Sequence, residues 1–181
     1  MSTLEVKAIQ APTGYDLQMP AGHIVQVVSD SLTTTASTSV KASDNSWADT
    51  GLSVAITPST TSSKIILTGM VHTGSSSASN GCCVLRLVRG STAIAVGDSR
   101  GSRIQATTGK GYESAGSETQ LTQTIHWVDS PSTTSAVTYK IQFATRGTGS
   151  ATSYINRTGG DGNTTEQQTT ASSLSVMEVQ G

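Results

Sequence analysis

Residues 47–72 read WADTGLSVAITPSTTSSKIILTGMVH and hold two alternating runs around a turn-rich break. In the first run, Leu52, Val54 and Ile56 share one face of an extended chain, with Ser53, Ala55 and Thr57 on the other. In the second, Ile65, Leu67 and Val71 face one way and Ile66, Thr68 and Met70 the other. Strand side chains repeat every two residues, so this spacing predicts two neighbouring strands, the second better buried. Between them, Pro58 and the hydroxyl residues to Ser63 favour a turn.

The same pattern recurs outward from this stretch. The run from His23 to Val28 reads as a central strand. A Ser- and Thr-rich segment follows, poor for a helix but able to pair as a solvent-facing strand around Ser37 to Val40. From Cys82 to Arg89, Val84, Arg86 and Val88 face away from Cys83, Leu85 and Leu87, and a turn at Gly90 returns through Ala93–Val96. Gln120–Val128 reads as a strand. In 137–143, Val137, Tyr139, Ile141 and Phe143 point inward while Thr138, Lys140 and Gln142 point outward. Ser173–Val179 closes the chain as a last strand, and long loops are expected at 97–118 and 147–171. About eight strands and no helix of ordinary length predict an all-β, antiparallel β-sandwich, jelly-roll-like, in which the first and last strands can lie side by side.

Composition agrees. Charged residues make up 13% of the 181, against about 25% in ordinary domains, and Ser, Thr and 18 Gly fill the difference. Disordered chains replace apolar residues with charge, whereas this chain uses residues suited to sheet faces and turns. The length predicts one domain over 23–181 with an arm over 1–22. In that arm, Leu4, Val6, Ile9, Leu17 and Met19 are interrupted by two prolines and two glycines, so it is expected to need a partner surface. The alternative is a first edge strand of the same domain.

A formal charge of −1 with scattered basic residues argues against nucleic-acid binding. The first residues lack a basic segment followed by an apolar core, and no apolar run is long enough to span a bilayer, so a soluble chain made in a cytoplasm is expected. Adjacent Cys82 and Cys83 should point to opposite faces as reduced, buried thiols; the sharper reading is an interchain bridge or metal ligand.

Candidate chemistry is thin. His23, His72 and His126 are far apart in sequence, and hydrogen-bonded or interface roles are expected, although three copies around a threefold axis could bind a metal or an anion. Gly109–Gly111 and Gly159–Gly162 lack phosphate-loop spacing, and Asp161 lacks the acidic series of a calcium loop. Asn156 and Asn163 match the glycosylation pattern without a secretory context. Glu113, Glu118 and Glu166 all fall in loops, with nothing to fix their separation. No catalytic residue, cofactor or metal is therefore expected, and an enzyme is the minority reading.

Several phrases together resemble fibre-like proteins of tailed bacteriophages, particularly those of marine bacteria and cyanobacteria. They are the opening at 2–10, AGHIVQV at 21–27, residues 47–65, LRLVRGSTAI at 85–94, WVDSP at 127–131, VTYKIQ at 137–142 and SSLSVME at 172–178. The resemblance runs in order over nearly the whole chain. It implies a virion structural protein, a trimeric surface component made in the host bacterial cytoplasm. Residues 1–22 would attach it to capsid or tail proteins, and its loops could contact host surface polysaccharide. With 181 residues and no room for a shaft, a short tail fibre, a tip or a capsid decoration protein is expected rather than a long fibre. The competing reading is a glycan-active enzyme on a β-sandwich scaffold.

Overall fold

A computed structural model describes residues 22–76, 82–109, 119–147 and 150–181. It contains eleven strands: β1 (Ile24–Leu32), β2 (Ala36–Thr38), β3 (Ala48–Ile56), β4 (Lys64–Ser75), β5 (Cys83–Arg89), β6 (Thr92–Ile94), β7 (Thr108–Gly109), β8 (Gln120–Asp129), β9 (Val137–Thr145), β10 (Ser153–Ile155) and β11 (Ser172–Val179). Among the described residues the helical content is one 3-10 turn, Ala42–Asp44.

In the first sheet, the twelve-residue β4 is paired along one edge by β8. Its other edge is shared by β11 against Lys64–Met70 and β10 against Thr73–Ser75. β1 lies outside β11, and β2 outside β10. In the second sheet, β9 sits between β3 and β5, whose far edge takes β6 and β7. Every pair of these strands is antiparallel. The pairings β1/β11, β3/β9, β4/β8 and β5/β6 nest one inside the next, as in a long hairpin rolled over on itself. That is the jelly-roll topology. Its sandwich buries Leu52, Val54 and Ile56 of one sheet against Ile65, Leu67 and Val71 of the other, together with Tyr139, Ile141, Phe143, Leu174 and Val176.

The expected register holds in β3, β4, β5 and β9, but three expectations need correction. β3 and β4 are not paired neighbours, because the connection through Pro58 carries the chain from one sheet to the other. Alternation identifies which face of a strand is buried; it does not identify the adjoining strand. β1 is an edge strand rather than a central one, it extends to Leu32, and its Ile24, Val25 and Val27 are exposed. The expected loop at 147–171 contains β10, whose Ile155 is fully buried in the core.

Both faces of β5 are covered. Val84 and Ala144 on the outer face of the second sheet lie beneath Val40, Ala42, Trp47, Ile104 and Ala106. A bulge in β3 between Asp49 and Ser53 turns on Gly51, whose φ of 102° favours glycine. Beside it, Thr50 Oγ1 donates to the Ile141 carbonyl at 2.8 Å.

Candidate functional site

Three buried polar groups tie the sandwich together, and of these only Asn156 was singled out from sequence, as a match to the glycosylation pattern. Glu178 lies in the same phase of β11 as Leu174 and Val176 and is completely buried. Its Oε1 accepts hydrogen bonds from the Ser59 amide (2.6 Å), the Ser59 hydroxyl (2.6 Å) and the Ser63 hydroxyl (2.7 Å), and its Oε2 accepts one from Gln26 Nε2 (2.6 Å). Burial pushes the carboxyl pKa up, but these donors together outweigh it and hold the group at about 2. The hydroxyl-rich connection after Pro58 is thus a carboxylate cradle as well as a turn.

Asn156 follows β10 in a left-handed conformation, φ 61°, which asparagine tolerates. Its side-chain amide donates to the carbonyls of Leu32 (2.8 Å) and Thr34 (3.0 Å), and its Oδ1 accepts from the Ser172 hydroxyl. A side chain so enclosed is no glycosylation acceptor. The third group is Asp129, which receives Tyr139 and Arg89 from the second sheet.

The sequence-derived candidates do not converge. Thr122 pairs with the His72 ring at 3.0 Å, and His126 stands opposite Thr68, four residues along β4 from His72. His23 immediately precedes β1, and its carbonyl accepts from the Gln180 amide. Cys82 and Cys83 are buried and not joined in a disulfide. Asp161 pairs with Arg157 (2.7 Å), whose guanidinium also stacks 3.9 Å from the Tyr154 ring centre. Glu166 is exposed in its loop; Glu113 and Glu118, like most of the arm, lie outside the described residues. Among the described residues no three His, Cys, Asp or Glu side chains are grouped to hold a metal, and no helix is long and apolar enough to cross a membrane.

Two surface features remain. On the outer face of the first sheet, Val27, Met177, Ile66 and Val128 are successive cross-strand partners, forming an apolar row across β1, β11, β4 and β8. Val27 and Val128 are each more than half exposed, at 58% and 51%. Exposed Ile24 and Val25 extend the row towards the root of the arm.

On the outer face of the second sheet, a cleft of about 510 Å³ opens between the 3-10 turn and residues 101–105. Arg86 and Trp47 line it on the sandwich side, and Arg103 and Gln105 on the loop side. Arg86 stacks 4.5 Å from the Trp47 ring centre and donates through Nε to Gln142 Oε1 at 2.8 Å. Gln142 is in turn fixed on Asp49, which also receives Lys140. The outward position of Arg86 was legible from sequence; its juxtaposition with Trp47 and Arg103 was not.

Comparison of the sequence with protein-family models and with curated proteins finds no match.

Proposed function

We propose that this protein is a structural component of a tailed-bacteriophage particle. It would be a homotrimeric surface protein, a short tail fibre, tip or capsid decoration, anchored through residues 1–22 and contacting host surface glycans. The observation that carries this reading is the apolar row Val27–Met177–Ile66–Val128. A sheet-wide apolar band in a chain otherwise rich in Ser and Thr marks a surface that another protein covers. The band leads to Gly22, whose amide is held by the Gln180 carbonyl. Jelly rolls recur in viral capsid and lectin domains, which supports this reading. The choice of three copies follows the resemblance to phage fibre proteins, since closed symmetry alone favours dimers.

Light scattering at micromolar concentration tests the assembly: three copies of the 18.6 kDa chain are expected, reduced to one by Val128→Lys. A single-chain mass for the unsubstituted protein overturns it. For attachment, deletion of residues 1–22 should leave a folded sandwich that no longer enters particles. Normal incorporation of the truncated chain would move attachment into the sandwich itself.

A further inference from the structure

We propose that the cleft between the 3-10 turn and residues 101–105 binds the anionic group of an acidic sugar within a polysaccharide. The inference deepens the glycan-contact part of the proposed function and rests on it. Among its lining residues the charged side chains are Arg86 and Arg103, with no carboxylate. Arg86 is pre-organised: Trp47 supports its plane, Gln142 takes its Nε–H, and the Nη groups meet no acceptor among the described residues. A guanidinium held this way presents paired donors matched to a carboxylate or sulfate. Asp49, whose charge acts on Arg86, is engaged by Lys140 and Gln142, and Asp44, on the 3-10 turn, accepts from the Ser43 hydroxyl.

The Trp47 ring forms part of the cleft wall beside Arg86. Ser43, Asn45, Ser102 and Gln105 complete the lining with neutral groups suited to sugar hydroxyls. The volume lies within the roughly 300–1,000 Å³ of small-ligand sites. Two guanidinium groups with no carboxylate among the lining residues select an anionic sugar over a neutral one.

The test is isothermal titration of the full-length protein with oligogalacturonate, which carries carboxylates, dextran sulfate, which carries sulfate esters, and neutral dextran. Binding of at least one anionic glycan is expected, weakened at least tenfold by Arg86→Gln and by Arg103→Gln, with dextran inert. Arg100→Gln, in the same loop but outside the cleft, is the control for general charge attraction and should leave affinity unchanged. Arg103 is exposed, so its variant keeps the test valid if Arg86→Gln loosens the fold. Equal weakening by Arg100→Gln, equal binding of dextran, or no binding of either anionic glycan overturns the proposal. Light scattering on the same samples separates this from the assembly: a trimer that binds no glycan removes the cleft's role alone.

Discussion

Tyr139 on β9 donates its phenol to Asp129 Oδ2 on β8 at 2.7 Å, a buried hydrogen bond between the two sheets. Arg89 Nη1 reaches both carboxylate oxygens of Asp129 at 2.9 Å. Burial raises the Tyr139 pKa far above its ordinary value; the hydrogen bond to Asp129 and that residue's charge raise it further, against the opposing pull of Arg89. Of the four tyrosines, Tyr139 should therefore stay protonated in alkali until the protein unfolds. A phenolate absorbance titration checks this. Tyr139→Phe should cost about 1–3 kcal/mol in urea denaturation, because Asp129 loses a buried donor. Unchanged stability would show that Arg89 alone satisfies the carboxylate.

Glu178 should make stability depend on acid. Its pKa is about 2 in the folded protein against 4.5 for the free side chain, so its contribution is full above pH 4.5 and disappears as pH falls through about 2. Urea midpoints measured across that window should fall more steeply for the unsubstituted protein than for Glu178→Gln. Parallel curves would mean that the hydroxyl cradle does not favour the charged form.

Adjacent residues of β9 should behave oppositely. Ile141 is fully buried, and Ile141→Ala should cost about 2–5 kcal/mol through the cavity it leaves. Lys140 points outward into a partly exposed pair with Asp49, so Lys140→Ala should cost less than about 1 kcal/mol. Equal melting shifts would contradict the register of the second sheet.

Gly74 on β4 lies beneath the chain that follows β10. A Cβ there would stand 2.2 Å from the Arg157 carbonyl oxygen, a backbone atom that cannot swing aside. Gly74→Ala should therefore lower the melting temperature, while Gly90→Ala, in open space, should be limited to the cost of its left-handed backbone. A smaller loss at Gly74 than at Gly90 would show that residues 157–158 can move away.

The sheet faces were legible wherever alternation was strong. Val137, Tyr139, Ile141 and Phe143 announce a buried face because their intervening residues are polar. Strand neighbours were not legible, since β3 and β4 adjoin in sequence yet belong to opposite sheets. Ser153–Ile155 is too short to show a period, and its burial comes from pairing on both sides by β2 and β4. Glu178 was within reach, because it shares the phase of Leu174 and Val176, but its compensating donors come from residues 26, 59 and 63. The cleft had no local signature at all: Trp47, Arg86 and Arg103 meet only once the outer face of the second sheet is covered.

The placement of β11 between β1 and β4 has a consequence for biosynthesis. While the chain is being made, β1 and β4 emerge well before the strand that bridges them. Until then the first sheet is split, with two unsatisfied edges and one wall of the core missing. Such a polypeptide is vulnerable to premature association with its siblings. The first sheet therefore closes only after all eleven strands have emerged, and the β1–β11 union is the event that completes it.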